Sequence, residues 1–417
     1  MASLPETDIT KPVEEIHPKN LEGTHMDDIA HAFRQLVERS HPSNGDGDIT
    51  QGVHGSAHSH LPWLHKFVPK LESLADKYHV GNFVAIRGTN QRFFESMPIY
   101  ARLGMHLLFC GHEQVKLLEG SKHVEDILKD GSIREGKIYD SPESVENIPS
   151  FIKTYNIQLD ELLEPDIRKY NTFNEFFYRK LKKDARPVEN PDDPKGFCSA
   201  ADSRLVVYQT VDLAEKFWIK GDEFSVPSLL GLDPTDPHCQ SLSGGSLAIF
   251  RLAPADYHRF HSPADGTVIS EPRDIPGQYY TVNPQAVNEP KLDVFTRNKR
   301  SVLLLEHEIS KQPVAIVAVG ALLVGSIVWT HDVSYDRFPG FCVIIDPMFQ
   351  KQVKRGDEIG YFAYGGSTLV VVFPPGVIEF DDDLVKNSTG ASPVAAGKGG
   401  LETHMKVGYS LGKMRDA

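Results

Sequence analysis

A serine that follows two glycines, near the C-terminal end of the chain, is the residue whose setting most favours chemistry. Gly365-Gly366-Ser367-Thr368 lies within the stretch YFAYGGSTLVVVF, where a small-residue turn precedes an apolar, valine-rich run. Because neither preceding residue has a bulky side chain, the Ser367 hydroxyl can reach the carbonyl of Gly366 and attack the chain's own peptide bond. The same four residues also suit an ordinary β-turn, so this stretch alone leaves both interpretations open.

Two histidines three positions apart, His258 and His261, are the next candidates. They lie in APADYHRFHSPADG, residues 253–266. Zinc takes three or four protein ligands and no third ligand stands close in sequence, so we predict no metal site. Two ordinary surface histidines are the other alternative. Asp202 adds an acid, and Asp, His and Ser can form a nucleophilic triad in any chain order, including Asp202, His261, Ser367.

Residues 188–384 contain the elements that would position these side chains. Short Val- and Ile-rich runs alternate there with Gly, Pro, Asp and Asn, which is typical of a β-rich sandwich or barrel. The predicted strands are RLVVY, GSLAIFRL, TVISEP, YYTVN, RSVLLLEH, VAIVAV, FCVIID, EIGYF and TLVVVF. The uncharged run 313–329 is almost long enough to span a bilayer, but its Val and Ile content and two glycines favour two buried strands joined by a bend.

The remaining segments are predicted to be helical or flexible. Residues 1–60 are predicted to be a mostly flexible extension with one helix over 26–40, and residues 385–417 a flexible tail rich in Gly, Ser, Lys and Ala. Residues 61–187 are predicted to be a helical region, with apolar periodicity at 63–79, 97–118 and 144–156. The predicted fold class is therefore α+β: a helical N-terminal region followed by a β-rich barrel or sandwich catalytic domain.

One basic cluster lies in an otherwise acidic chain. Its members are Arg179, Lys180, Lys182, Lys183 and Arg186. A solvated helix end explains them, since cations complement the C-terminal end of the helix dipole. A surface that docks anionic lipid head groups is the alternative.

Composition narrows the class of protein. The 417 residues carry a net charge of −13, which argues against bulk nucleic-acid binding. The four cysteines are scattered without metal or disulfide spacing and fit reduced thiols. The N-terminus has neither an apolar signal segment nor the composition of a transit peptide. We expect a cytoplasmic protein or one lying peripherally on endomembranes, without a clear transmembrane span.

Several motifs in order resemble the phosphatidylserine decarboxylase family. They are WIKGDEFSVPSLLG, APADYHRFHSPADG, YYTVNP, LDVFTRNKR, VAIVAVGALLVGSI and VKRGDEIGYFAYGGST. Upstream, MPIYARLGMHLLF, GKIYDSPESVENIPSFI and YNTFNEFFYRKLK resemble the eukaryotic extramitochondrial branch. The resemblance runs from about residue 97 to about residue 380.

The resemblance implies an enzyme that makes its own pyruvoyl cofactor. Ser367 would attack the Gly366 carbonyl, an ester would form by N-to-O acyl shift, and elimination would split the chain. The products would be chains 1–366 and 367–417, which remain associated. The dehydroalanine left at residue 367 would hydrolyse to a pyruvoyl group with loss of ammonia. That group would bind the substrate amine as a Schiff base and take up the electrons released with CO₂.

The resemblance also implies a role for each candidate side chain. His261 would be the base that takes the proton of Ser367, and Asp202 would orient the His261 imidazole. His258 would donate the proton at the decarboxylation step. These roles come from the family and are carried to the matching positions of this chain.

The implied reaction converts phosphatidylserine to phosphatidylethanolamine, which would make the chain a carboxy-lyase of phospholipid biosynthesis synthesised as a zymogen. The same chemistry on a free amino acid such as tryptophan is the alternative, because the reaction involves only the amino-acid head. A non-catalytic β-barrel binding module is a remote alternative, and the presence of Asp202, His261 and Ser367 argues against it. The expected partners are the substrate, a peripheral membrane surface and a second copy in a homodimer, and no nucleic acid is expected.

Overall fold

The computed structural model describes residues 26–42, 48–54, 81–96, 99–101, 103–104, 122–217, 219, 224–287, 292–324, 326–330, 351–365, 367–395 and 400–415. Within these ranges the α-helices are α1 (Met26–Arg39), α2 (Lys122–Tyr139), α3 (Ile148–Tyr155), α4 (Phe173–Phe177), α5 (Val211–Phe217), α6 (Val226–Leu230), α7 (Pro237–Leu242), α8 (Pro284–Val287), α9 (Val294–Arg297) and α10 (Asp382–Ser388). The strands are β1 (Gly81–Ile86), β2 (Arg92–Ser96), β3 (Gly196–Cys198), β4 (Ser203–Tyr208), β5 (Ser246–Leu252), β6 (Arg259–His261), β7 (Gly266–Val268), β8 (Arg273–Ile275), β9 (Arg300–His307), β10 (Pro313–Gly320), β11 (Ile327–Trp329), β12 (Lys351–Val353), β13 (Glu358–Phe362), β14 (Ser367–Phe373), β15 (Ile378–Phe380), β16 (Glu402–Met405) and β17 (Ser410–Met414).

A mixed, eleven-stranded sheet forms the centre of the molecule. Its order is β12-β7-β9-β10-β14-β5-β4-β16-β1-β2, and β8 pairs with β9 outside this path. Strands β1 and β16 run parallel, whereas β14 is antiparallel to both of its neighbours, β10 and β5. Two three-stranded sheets, β11-β13-β6 and β15-β17-β3, complete the strand arrangement of the described residues.

The mixed α/β class with a large sheet is confirmed, but the predicted barrel is not. Within the described strands, the large sheet ends at β12 on one side and at β2 on the other, and each end strand pairs on one side only. The sheet therefore does not close on itself, since closure would require a ladder between its two ends.

Strand β14 is buried on both faces. Leu369 and Val371 belong to one apolar cluster, and Val370 and Val372 belong to the other, as the alternation of side chains along a strand requires. This explains why the run STLVVVF is continuously apolar after its first two residues. Ser367 begins this strand, so it is held in the middle of the sheet.

Helices α1 to α4 supply part of the apolar cluster that contains Val370. Aromatic side chains dominate their contribution, including Phe33 of α1, Tyr139 of α2, Phe151 of α3 and Phe177 of α4. No helix within the described ranges combines the length and the apolarity needed to cross a bilayer.

Eight of the seventeen described strands coincide with predicted apolar runs, among them six adjacent strands of the large sheet, β7, β9, β10, β14, β5 and β4. RSVLLLEH and EIGYF coincide with β9 and β13, and the run 313–329 forms two strands, β10 and β11, as expected. FCVIID lies outside the described residues. YYTVN was predicted to be a strand and is not one: the amide and carbonyl of Tyr280 bond to the side chain of Asn298 in place of a ladder partner.

The predictions for the N-terminal regions and for the C-terminal tail have different outcomes. The helix predicted over 26–40 is α1, whereas segment 63–79 and most of 97–118 lie outside the described residues. The region predicted to be helical also contains the hairpin β1–β2. The prediction of a flexible tail from 385 is wrong for the residues described, because β16 lies between β4 and β1 in the large sheet and buries Thr403 and Met405.

Candidate active site

The turn that leads into β14 positions Ser367. The Ser367 side chain is fully buried, and its register partner on β5 is Leu252. Gly365 has a φ of +126°, and a Cβ there would lie 2.2 Å from the carbonyl oxygen of Leu323. Only glycine fits this backbone, because both its conformation and its contact exclude a side chain. Gly366, whose carbonyl Ser367 is expected to attack, lies outside the described residues.

His258 is the histidine that contacts Ser367. Its Nδ1 lies 3.4 Å from Ser367 Oγ. Its Nε2 lies 3.1 Å from the carbonyl oxygen of Ala253, which can only accept; Nε2 therefore carries the proton, and Nδ1 is left as an acceptor for the serine hydroxyl. Phe177 stacks on the imidazole at 4.0 Å. Burial, and then the charge of Arg179, lowers the pKa of His258 to about 3, so the ring is neutral near pH 7 and able to take a proton.

His261 is engaged elsewhere. Its Nδ1 lies 2.8 Å from the carbonyl oxygen of Gly356 and therefore carries the proton. Its Nε2 lies 3.2 Å from the hydroxyl of Tyr257 and accepts from it. Burial lowers the pKa of His261 as well. Within the described contacts, its basic nitrogen thus faces Tyr257, and Ser367 faces His258.

Asp202 lies immediately before β4 and is buried. It forms an ion pair with Arg186 at 2.7 Å and accepts a hydrogen bond from the amide of Val407 at 2.8 Å. Its negative charge acts on His261 through space and favours the protonated imidazole. Within the described part of the chain, Asp202 makes no hydrogen bond to His261. The structure therefore brings His258 and Ser367 into contact, whereas the described hydrogen bonds of Asp202 go to Arg186 and to the amide of Val407.

Two members of the basic cluster point into the protein, which corrects the expectation of a five-residue surface patch. Arg179 is 5% exposed and donates to the carbonyls of Ala255 and Asp256, just before His258. Arg186 pairs with Asp202 and Glu161. Both guanidinium groups are held inside because buried carbonyls and carboxylates need donors. The exposed members of the cluster are Lys180, Lys182 and Lys183.

A cavity of about 380 Å³ lies beside two residues that neighbour the serine–histidine pair. Leu252 and Ala253 line it; the first is the cross-strand partner of Ser367, and the second accepts from His258. Most of the wall is apolar, with Phe93, Tyr100 and Leu322 among its members. Such a mostly apolar cavity with a few polar groups is typical of a small-molecule site.

Paired charges form the polar part of this wall. Arg204 and Arg251 are register partners on β4 and β5. Arg204 pairs with Glu95 at 2.6 Å and with Asp256 at 2.5 Å. Arg251 pairs with Glu95 at 2.9 Å and with Glu402 at 2.6 Å. Both guanidinium groups are thus already neutralised by carboxylates before any ligand enters.

Several residues of the site were missed from sequence. Phe177 was given no role in the site, and Arg179 was interpreted as part of a basic cluster; the structure shows that Phe177 stacks on the His258 ring and that Arg179 bonds to the loop before it. Asn174 accepts from the amide of Tyr364 at 2.7 Å, three residues before Ser367. The available signal was the density of aromatic residues in NEFFYRK, which exceeds what a solvated helix needs. Among the described residues, no group of three or more His, Cys, Asp or Glu side chains is arranged to hold a metal ion.

Comparison with known proteins adds to this geometry. The profile of the family described as phosphatidylserine decarboxylase matches residues 173–402. Phosphatidylserine decarboxylase proenzyme 3 of Schizosaccharomyces pombe is 43% identical over 331 residues, which cover 79% of this chain and 31% of that protein. Phosphatidylserine decarboxylase proenzyme 2 of Oryza sativa is 44% identical over 313 residues, 74% of this chain and 45% of that protein. Phosphatidylserine decarboxylase proenzyme of Fusobacterium nucleatum is 33% identical over 281 residues, 67% of this chain and 82% of that protein.

The fold and the site define a mixed α/β protein with a buried serine–histidine pair at a glycine turn. The chain belongs to the phosphatidylserine decarboxylase family. It spans about a third of the length of the fission yeast relative and less than half of the rice relative.

Proposed function

We propose that this chain is a self-cleaving carboxy-lyase that converts phosphatidylserine to phosphatidylethanolamine. The observation that carries the proposal is the contact between the buried Ser367 hydroxyl and the unprotonated Nδ1 of His258, at a turn where only glycine fits. Family membership gives the reaction, and the names of the relatives, all proenzymes, agree with activation by cleavage.

The residues around position 367 fit the pyruvoyl group that the family implies. Ser367 would become this group, His258 lies beside it, and the buried Oγ1 of Thr368 has no hydrogen-bond partner within the described residues. An unpaired buried hydroxyl next to the reacting residue is free to bond to a new oxygen there. Once formed, the group supplies a carbonyl that takes up the substrate amine and an electron sink for the pair released with CO₂.

The chain's own residues carry out the proton transfers in this proposal. His258 Nδ1 accepts the proton of Ser367 Oγ as the hydroxyl attacks the Gly366 carbonyl. The proton taken from Ser367 passes to the leaving nitrogen of residue 367; after cleavage His258 Nδ1 still faces this position, where it could take up a proton from water and pass it to the reacting carbon. The family resemblance implies His261 as the base for Ser367 and Asp202 as the residue that orients it; we place these two instead in a supporting role through Tyr257 and Arg186.

The membrane contact is proposed in a reduced form. Lys180, Lys182 and Lys183 remain exposed, and Arg179 in the same segment bonds to the loop that precedes His258. Anionic lipid head groups attract such exposed lysines, at about 1 kcal/mol each near a membrane surface. This segment would therefore hold the membrane close to the site.

Intact mass spectrometry of purified wild type and Ser367→Ala tests the proposal. The wild type is expected to yield two fragments, the first ending at Gly366 and the second beginning with a blocked residue. Ser367→Ala is expected to remain a single chain of 46.5 kDa, because the attacking hydroxyl is gone. An uncleaved wild-type chain without activity would sink the proposal.

The substrate is tested separately by CO₂ release. Wild type is expected to release CO₂ from phosphatidylserine in mixed micelles, and Ser367→Ala is expected to release none. Free tryptophan serves as the competing substrate. Release from tryptophan alone would keep the cleavage chemistry and overturn the lipid assignment.

A further inference from the structure

His54 lines the cavity from a part of the chain that precedes the family match. Its side chain is 2% exposed, and its ring packs edge-on against Tyr364 at 5.5 Å. Tyr364 in turn packs against Phe177 at 5.1 Å, and Phe177 stacks on His258. Two aromatic rings thus separate His54 from the imidazole that contacts Ser367.

The hydrogen bonds of His54 determine what its free nitrogen can do. Its Nδ1 lies 2.8 Å from the hydroxyl of Tyr155, which also lines the cavity. Within the described contacts, His54 Nδ1 is the acceptor that the Tyr155 hydroxyl has, so the hydroxyl donates to it. The proton of the neutral His54 ring is therefore on Nε2. His54 Nε2 is buried and has no partner among the described residues.

Burial lowers the pKa of His54 to about 3, so the group is a neutral N–H donor near pH 7. An unpaired buried donor destabilises the protein, and a ligand oxygen that accepts from it would remove that cost.

The segment that carries His54 is firmly anchored. The amide of Ile49 donates to Ser150 Oγ of α3 at 2.9 Å, and the amide of Val53 donates to Ser40 Oγ at 3.2 Å. A Cβ at Gly52 would lie 2.4 Å from Ser40 Oγ, so the turn packs closely against the end of α1. The donor is therefore held in place before a ligand arrives, which favours binding.

The surroundings of His54 select the kind of oxygen it would meet. A phosphodiester calls for an unpaired cation, and both arginines of the cavity are neutralised by Glu95, Asp256 and Glu402. A neutral N–H in a mostly apolar wall suits a neutral carbonyl. In a phosphoglyceride, the acyl ester carbonyls lie several bonds beyond the reacting amino acid, as His54 lies beyond the serine–histidine pair.

We propose that His54 Nε2 donates a hydrogen bond to an acyl ester carbonyl of the lipid substrate, so that residues ahead of the family match select diacyl phosphoglycerides. The inference rests on the proposed function. It makes His54 a binding residue and gives it no part in self-cleavage.

The test compares diacyl phosphatidylserine with its dialkyl ether analogue, which lacks the ester carbonyls, in mixed micelles of one detergent. Wild type is expected to show about tenfold higher kcat/KM on the diacyl lipid, the value of one hydrogen bond of about 1.4 kcal/mol. His54→Phe is expected to lose that tenfold through KM on the diacyl lipid and to act on the ether lipid within about twofold of wild type. His54→Gln, which keeps an N–H donor, is expected to recover part of the difference.

His238→Phe, on α7 and outside the cavity lining, is the matched control and should leave both substrates unchanged. Equal kcat/KM of wild type on the two lipids would overturn the inference without any variant, and so would an equal loss on both lipids in His54→Phe. Wild type that is cleaved but has no activity on either lipid would instead overturn the proposed function. Intact mass spectrometry shows whether the protein used in the assay has been cleaved.

Discussion

At the scale of residues, the partner of one ring nitrogen decides what the other can do. His258 donates from Nε2 to a carbonyl and leaves Nδ1 for the Ser367 hydroxyl. His261 donates from Nδ1 to a carbonyl, and its Nε2 accepts a hydrogen bond from the hydroxyl of Tyr257. Both rings are neutral because burial lowers both pKa values. The two histidines of one short motif thus have the same charge but different access to the serine.

This difference predicts unequal effects of two matched substitutions. His258→Gln is expected to slow self-cleavage by about a hundredfold or more, the usual contribution of a general base. His261→Gln is expected to slow it much less, because Tyr257 rather than Ser367 loses its partner. The measurement is the time course of chain cleavage in freshly synthesised protein, followed on denaturing gels.

The pH dependence of the same time course is a second readout. A base with a pKa of about 3 stays unprotonated at every pH well above that value and is lost only as the pH falls toward 3. Cleavage of wild type should therefore not decline between pH 8 and pH 5 through titration of His258. Normal cleavage in His258→Gln together with arrest in His261→Gln would contradict this assignment and favour the Asp202–His261–Ser367 arrangement that the family resemblance implies.

At the scale of elements, apolar runs predicted the central strands of the large sheet and missed β12, β16, β1 and β2. The runs that became β9, β10 and β14 are long and apolar, so local sequence was enough to find them. Strand β16 has only four residues, ETHM, and forms because β4 and β1 offer ladder partners on both sides. That information is tertiary, so the tail looked flexible in sequence.

The site was predictable to a similar extent. The sequence placed His258 and His261 in one motif but did not show which of the two rings faces Ser367. Which of them does so depends on the pairing of β6 with β13 and on the ring of Phe177, neither of which a motif reveals. The role of α4 was missed for the same reason.

Helix α4 holds the turn before Ser367 through Asn174. The side chain of Asn174 accepts from the amide of Tyr364 at 2.7 Å and donates to Asp140 at 2.6 Å. Asn174→Ala leaves the buried amide of Tyr364 unpaired and removes the donor to the exposed carboxylate of Asp140. We expect it to lower the free energy of unfolding by about 1–3 kcal/mol and to slow cleavage at least tenfold, because the turn is then less well positioned.

Denaturant unfolding in the uncleavable Ser367→Ala background gives the stability, and gels give the rate. Asn171→Ala is the control, since Asn171 is an exposed asparagine of the same segment that bonds to Glu175. A control that loses as much stability as Asn174→Ala would mean that the segment is sensitive in general and that Asn174 has no special role.

At the scale of the whole molecule, the expected cleavage point divides the central sheet without opening it. Chain 367–417 would contain β14, β15, α10, β16 and β17. Strand β14 pairs along its length with β10 and β5, and β16 pairs with β4 and β1, all four of which belong to chain 1–366. The buried pair between Glu402 and Arg251 also joins the two chains.

Cleavage should therefore leave a two-chain particle with the shape of the precursor. Separation of the chains would expose both faces of β14 and unpair its backbone on two sides, which the buried apolar contacts and hydrogen bonds oppose. Size-exclusion chromatography of processed wild type is expected to give one peak that contains both fragments, at the elution volume of uncleaved Ser367→Ala. The fragments should separate only at denaturant concentrations that also unfold Ser367→Ala. Release of chain 367–417 in native buffer would contradict the sheet order, because a strand paired on both sides cannot leave without unfolding its neighbours.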